Sequence, residues 1–421
     1  MTEDRRRPHL WFVNHYAVHP DVHGRSGRHY RLAQHLESLG WRVTVIAAST
    51  DHPSGRQLSA HGATLGGDEH GPLFRLLKAP AYEKGGFSRI INMVTFSARL
   101  LALRNLDAPD LVIGSTVHPL AAWASSTVAR RKAVPFVFET RDLWPETLID
   151  MGAITRRHPL AHILRWIEKR TIERSQLVIS PLPGVGDYLQ AWGHDVPFVW
   201  ISNGVEPGEA SAPPADDVAG PTFTYFGSIG RANAVDTLVE AFELYLARGG
   251  SPHARLRLVG DGADFGEIER RATTSHWGSQ MQLQGAVPQS QLTQISADSD
   301  ALIANMLDLP LYKYGISLNK LFEYLSAARP IIFASNASNN PVADASAGFV
   351  VPANDVSAIA EAMQQLQDTP AAERAAMGSR GREYVKREYD YSVLARRLSR
   401  ALVPLLEPKS ATHTAPTTPP N

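Results

Sequence analysis

The stretch "YGISLNKLFEY", residues 314 to 324, gathers the residue types that an anion site requires. Gly315 and Ser317 lead into an amphipathic helical pattern, and Ser317 stands where an N-cap belongs. The amides that follow point their N–H groups out of the helix start, where an anion is stabilised. Lys320 falls on the first turn, and Glu323, one turn later, shares a face with Asn319 and Lys320. An ammonium at a helix N-terminus neutralises a diphosphate, and a carboxylate beside it accepts hydrogen bonds from the vicinal hydroxyls of a ribose. The plain alternative is a capping serine with a surface Lys–Glu pair.

Four other loops carry the same kind of chemistry. In "HPDVHGRSGRHYRLA", Gly24 and Gly27 precede a helix and leave room for a phosphate, with Arg28 on the first turn as a further contact. In "LVIGSTVHPLAAWAS", His118 ends a buried strand ahead of Pro119, placed either for a ligand or as a helix cap. In "FVFETRDLWPETLIDMG", Arg141, Asp142, Trp144, Pro145 and Glu146 crowd one strand end. A salt-bridged loop explains the charges, but the Trp-Pro pair beside them suggests a pocket wall. In "YFGSIGRANAVDT", Gly227, Ser228 and Gly230 with Arg231 form a backbone and side-chain anion site, while Gly260 and Gly262 in "LVGDGAD" make a flat turn against which a base can stack.

These loops need a scaffold that brings strand ends together. Short apolar runs alternate with helical patterns throughout, the signature of parallel α/β architecture. Strands are expected at 10–16, 42–48, 111–115, 136–140 and 177–181, and again at 223–228, 255–262, 281–287, 301–306, 330–335 and 348–353. A Gly/Ala/Pro/Asp-rich segment near 203–220 separates the two series. The expected division is an N-terminal acceptor-side domain over 1–203, a nucleotide-sugar domain over 204–385, a helical segment over 386–408 returning to the first domain, and a disordered tail over 409–421. Two doubly wound, Rossmann-like domains facing a central cleft put every loop above at a carboxyl end of a strand, where such sheets bind ligands.

Composition narrows the function classes. Lys+Arg and Asp+Glu both total 42, which removes any general case for nucleic-acid binding. The chain has no cysteine, so thiolate chemistry and a disulfide framework are excluded, in keeping with a cytoplasmic protein. The N-terminal residues read as a charged leader and a first strand, not a signal peptide, and no apolar run is long enough to span a bilayer.

In order along the chain, "GRSGRHYRLAQHLESLGWRVTVIA", "FVFETRDLWPETLIDMG", "ISNGVE", "LVGDGAD" and "YGISLNKLFEYLSAARPIIFAS" resemble the landmarks of the family 4 retaining nucleotide-sugar glycosyltransferases, which have the GT-B fold. The RDLWPE and G-x-S-x-N-K-x-x-E runs look most like a bacterial subgroup that builds O-antigen, capsule and other surface polysaccharides, including N-acetyl-fucosaminyl transferases. The resemblance implies a hexosyltransferase-type enzyme that needs neither cofactor nor metal. Its donor would be a nucleotide-sugar, UDP ahead of GDP, and its acceptor a glycan or polyprenyl-linked sugar. Gly24 would lie near the donor diphosphate, His118 near the transferred sugar, and Glu323 would bind the ribose as the second glutamate of E-x7-E. The first glutamate falls at Gly315, and the family's arginine and lysine fall near Ser228 and Asn233, so Arg231 and Lys320 are the candidates to supply the missing charge. His118, Arg141, Asp142 and Lys320 are the expected catalytic groups. Donor binding is expected from Gly24, Arg28, Gly227, Ser228, Gly230, Arg231, Gly260, Gly262, Ser317, Asn319 and Glu323. A basic amphipathic segment, 84–106, would either contact an anionic inner membrane or pack as an ordinary helix. An epimerase of the same fold and a non-catalytic sugar-nucleotide-binding subunit are the rival readings.

Overall fold

A computed structural model of the protein describes residues 6–59, 61–67, 71–83, 86–208 and 220–407. Most of the expected domain boundary, the expected tail and Lys84 lie outside these residues.

The first domain is built on β1 (His9–Val13), β2 (Arg42–Ala48), β3 (Ala63–Leu65), β4 (Leu73–Leu77), β5 (Leu111–Thr116), β6 (Phe136–Thr140), β7 (Leu177–Ser180) and β8 (Phe198–Trp200). They form one sheet in the order β3-β4-β2-β1-β5-β6-β7-β8, parallel except for the β3–β4 pair. The central strands β1, β5 and β6 are buried on both faces, which is why they read as unbroken apolar runs instead of alternating ones. The second domain holds β9 (Thr222–Phe226), β10 (Arg255–Val259), β11 (Met281–Gln284), β12 (Ala301–Asn305), β13 (Ile331–Ala334) and β14 (Gly348–Val351) in the order β11-β10-β9-β12-β13-β14, all parallel. All eleven expected strands are present. The three-residue edge strands β3 and β8, and β4 between β3 and β2, were not foreseen.

Helices cover both faces of each sheet. The helix Tyr391–Leu402 returns to the first domain, where Leu394, Leu398 and Leu402 enter its core and Trp41 Nε1 donates to Ser399 Oγ at 2.9 Å.

A buried ionic node fixes the crossing between domains. Glu139, fully buried near the end of β6, accepts from Arg28 Nε at 3.2 Å and Nη2 at 3.1 Å, and its other oxygen lies 2.9 Å from His29 Nε2. Arg28 also donates to the carbonyls of Ile201 and Ser202. The chain then passes to Asn203, whose N–H donates to Ser317 Oγ at 2.9 Å and whose Nδ2 donates to Ser317 O at 2.7 Å. Burial alone would raise the Glu139 carboxyl, but His29, Arg28 and Arg141 outweigh it and hold the group far below the usual carboxylate range.

Candidate functional site

The strand ends of the two sheets face one another across a cleft of about 1000 Å³, continuous in its wall residues with a second recess of about 1100 Å³. The first carries Gly24, Arg141, Asp142, Trp144, Asn319 and Glu323; the second carries Gly227, Ser228, Gly260, Gly262, Lys320 and Glu323. Residues taken from five loops of the sequence are thus brought to one place.

The floor of the recess is two clasped turns. Gly227 N–H donates to Val259 O, Ile229 N–H to Asp261 O at 2.9 Å, and Gly260 N–H to Gln284 O. Gly260 has φ +153°, and a Cβ on it would meet Gly227 O at 1.8 Å, so backbone approaches backbone where no side chain fits.

Lys320, on the helix Asn319–Ser326, reaches over this floor. Its Nζ donates to Asn233 Oδ1 at 2.5 Å and to Tyr225 Oη at 3.1 Å, and it stands 4.6 Å from the Tyr225 ring centroid. Tyr225 in turn donates to Ser228 O at 2.6 Å, and Asn233 Nδ2 donates to the same carbonyl. Among the described residues no carboxylate lies within ion-pair distance of Lys320, and burial lowers the ammonium to about 7. Glu323 Oε1 accepts from Gln289 Nε2 at 3.1 Å, and burial raises its carboxyl to about 7. The two groups share the cleft without forming the surface pair that the spacing alone allowed.

Across the cleft, Arg141 places its backbone N–H on Thr116 Oγ1 at 2.9 Å, and its guanidinium has no carboxylate within ion-pair distance among the described residues. Asp142 beside it is exposed in the cleft. Trp144 lines the same wall with its buried Nε1 unpartnered. Glu146, grouped with these residues by sequence, instead pairs with Arg165 at 2.7 Å.

Several expected roles are corrected. Arg28 borders the cleft, but its guanidinium is buried and committed to Glu139 and two carbonyls. Ser317 is not the N-cap: the cap position is Leu318, with no side-chain bond, and the Ser317 hydroxyl is tied to Asn203 and Ser202. Gly24 ends a short helix, Pro20–His23, at φ +66° instead of opening the next one, though it still borders the cleft. Arg231 is exposed in the turn Arg231–Asn233 and, with Gly230, lies outside the cleft walls, whereas Lys320 lies at the glycine turns, with Arg25 and Arg89 also lining that recess. His118 is buried behind Tyr16 and Val117. Its Nδ1 accepts from Ala121 N–H, capping the helix Pro119–Arg131, and its Nε2 lies 2.6 Å from His15 Nδ1. Desolvation, then Arg89, lowers its imidazole to about 3, so it is neutral. Gly315, the position matched to the first glutamate, has φ +94°, and a Cβ there would meet Pro183 Cδ at 2.5 Å. Sequence reasoning missed Tyr225 and Gln289 and met Asn233 only as the position of the family's absent lysine; these three hold Lys320 and Glu323. Tyr225 reads as a strand residue, and nothing local marks its hydroxyl as a partner.

Two facing Rossmann-like domains with a cleft between opposed strand ends define the GT-B architecture. Residues 26–204 match the family described as Glycosyl transferase 4-like domain, and residues 220–369 match Glycosyl transferases group 1. By its domains the chain is a glycosyltransferase. A curated mannosyltransferase of Corynebacterium glutamicum, GDP-mannose-dependent and acting on monoacylated α-(1-6)-phosphatidylinositol monomannoside, is 27% identical over 169 residues, 40% of this chain and 43% of that protein. The match therefore spans less than half the length of that relative. Among solved structures, sucrose-phosphate synthase of Thermosynechococcus elongatus superposes with a TM-score of 0.72 at 18% identity over 95% of this chain and 99% of that one. Anabaena HepE in complex with UDP-glucose gives 0.63 at 13% identity over 94% and 99%. These structural likenesses establish the fold.

Proposed function

We propose that the protein is a retaining glycosyltransferase that moves a sugar from a nucleoside-diphosphate donor to a glycan or lipid-linked acceptor in the building of bacterial surface polysaccharide. The observation that carries this reading is Lys320: an ammonium held in the cleft wall by two neutral oxygens, with no carboxylate within ion-pair distance among the described residues, over glycine turns that admit an anion. A diphosphate supplies the missing counter-charge. The base lies against Gly260–Gly262 and Val287, and the ribose hydroxyls meet Glu323.

In the transfer the bond from the anomeric carbon to the leaving phosphate oxygen breaks and a bond to the acceptor hydroxyl oxygen forms. Attack on the same face lets the acceptor proton pass to the departing phosphate oxygen, which gives retention. Negative charge grows on the diphosphate as the bond breaks, so Lys320 binds the transition state more tightly than the ground state. Arg141 and Asp142 face this point from the other domain, and closure of the cleft excludes water that would otherwise hydrolyse the donor.

The acceptor side is supported by the helix Phe87–Leu101, which leaves Phe87 75%, Ile90 54% and Val94 50% exposed at helical spacing, with Arg99 on the same helix, while Arg89 turns to the cleft and donates to Tyr16 Oη at 3.2 Å. Such a face suits an anionic membrane on the cytoplasmic side. The partly matched mannosyltransferase, whose named acceptor is a lipid, points the same way. The test is calorimetric binding of UDP and GDP followed by mass spectrometry of donor hydrolysis across UDP- and GDP-sugars. Binding with cleavage of one sugar is expected; absence of any nucleotide binding would refute the assignment.

A further inference from the structure

We propose that Glu168 and Tyr188 are positioning residues for the transfer: a buried carboxyl and phenol behind the cleft that register the wall bearing Arg141 against the second-domain loop leading to Lys320. This rests on the transferase reading and the donor placement given above.

The run 141–146 presents Arg141 to the cleft and is held from behind. The helix Pro159–Ile172 grips it at two points one turn apart. Arg165 donates to Glu146 Oε1 through Nε at 3.1 Å and Nη2 at 2.7 Å, and Glu168 faces the backbone N–H of Trp144, which favours its charged form. Glu168 also accepts from the Tyr188 hydroxyl at 2.7 Å, and both side chains are buried. Tyr188, on the helix Val185–Ala191, carries the contact on to the other domain. Its ring meets that of Tyr314 edge-on at 5.4 Å, and Gly184, immediately ahead of the helix, donates its N–H to Tyr314 O at 2.9 Å. Here backbone approaches backbone: a Cβ at Gly184 would meet Tyr314 Cα at 2.8 Å, and one at Gly315 would meet Pro183 Cδ at 2.5 Å. From Gly315 the chain runs directly into the helix Asn319–Ser326 that carries Lys320.

Packing alone does not account for the pair. Among the described residues no cation stands within ion-pair distance of Glu168, and burial pushes its carboxyl up to about 8. Arg165, the cation one turn away, is spent on Glu146. Hydrocarbon of the same volume would fill this space without desolvating a carboxyl and a hydroxyl. What the polar pair supplies is direction, since a hydrogen bond fixes one placement of ring and loop where apolar contact allows several. Arg141 acts on charge that develops in the transition state, so a shift of about 1 Å in its wall is felt in kcat by up to about 100-fold. Binding of the bare nucleotide, made in the second domain, does not feel it.

The experiment uses the full chain and the UDP- or GDP-sugar that the wild type cleaves, read as UDP or GDP released, beside calorimetry with the bare nucleotide. Glu168→Leu combined with Tyr188→Phe removes both partners at once, so neither is left unpaired by the other, and the melting temperature should hold. Its kcat is expected to fall by about 10-fold or more with bare-nucleotide Kd unchanged, a split that loss of packing alone does not give. Glu168→Gln, which can still accept from Trp144 and bond Tyr188, should keep kcat within about 3-fold of wild type. In an Arg141→Ala background the same double substitution should cost less than about 3-fold, because the group it positions is gone. Wild-type kcat in the folded double variant, a loss in Glu168→Gln equal to that in the double variant, or a full further loss on top of Arg141→Ala each overturns the inference and leaves the donor site standing. If the double variant does not fold, Tyr188→Phe alone, which removes one oxygen and keeps the ring on Tyr314, decides by the same kcat and Arg141→Ala comparisons. Nucleotide binding without cleavage of any sugar, or no binding at all, overturns the reading beneath and the inference with it.

Discussion

Lys320 and Glu323 lead to a prediction about protons. In the unliganded protein burial brings the ammonium down to about 7 and the carboxyl up to about 7. A diphosphate favours charged Lys320, raising it, so binding above pH 7 must first supply a proton and affinity falls as pH rises. Ribose hydroxyls donating to Glu323 favour the carboxylate, lowering it, so binding below pH 7 must first remove a proton and affinity falls as pH falls. The wild type is therefore expected to bind best near neutrality. At pH 7 each group is about half titrated, so Lys320 takes up about 0.5 proton, Glu323 releases about 0.5, and the two nearly cancel. Lys320→Ala should unmask net release and Glu323→Gln net uptake. Each variant should also lose about 1.5–3 kcal/mol of binding, the scale of a hydrogen bond to a charged group. The assay is calorimetry with the best-binding sugar nucleotide at pH 7 in buffers of different ionisation enthalpy, where the slope of observed against buffer enthalpy counts protons. Equal slopes for all three proteins would refute the reasoning, because they would mean that neither group changes its protonation when the donor arrives.

Four further outcomes are expected. Glu139→Gln strands the buried Arg28 charge and should cost about 3–5 kcal/mol in denaturant unfolding. Because the folded Glu139 carboxyl is depressed, its stabilisation is present above the ordinary carboxylate range and declines as pH falls through and below it, so the variant should show a flatter acid limb. Gly260→Ala should remove nucleotide binding, since its Cβ would lie 1.8 Å from Gly227 O; Gly24→Ala, at φ +66° with nothing within 4 Å, should cost only about 1–2 kcal/mol in melting. Arg141→Ala should lower kcat by about 100-fold while nucleotide Kd stays unchanged, as measured by steady-state turnover beside calorimetry. Phe87→Ser with Ile90→Ser should weaken co-sedimentation with phosphatidylglycerol vesicles and leave nucleotide affinity intact, whereas unchanged sedimentation would remove this helix from any membrane contact.

The scaffold and the site differ in how far local sequence foretells them. A buried parallel strand must be apolar along its whole length, so β1, β5 and β12 announce themselves in a single run of residues. The parallel arrangement then dictates that the loops after them converge, and Gly227, Gly260, Lys320 and Glu323 do meet in one cleft. Which charged group acts outward and which is consumed inward is a different kind of fact. Arg28 and Lys320 look alike in sequence, each a cation on the first turn of a helix behind a glycine-bearing loop. Arg28 meets Glu139, 111 positions away, and is neutralised. Lys320 meets Tyr225 and Asn233, 95 and 87 positions away, which hold it by hydrogen bonds and leave its charge uncompensated. The difference between a structural node and a ligand site is thus the sign of a distant partner, carboxylate in one case and neutral oxygen in the other. That partner is fixed only when the two sheets close, which is why Glu139, an acid at the end of a strand, gave no warning that it would claim Arg28.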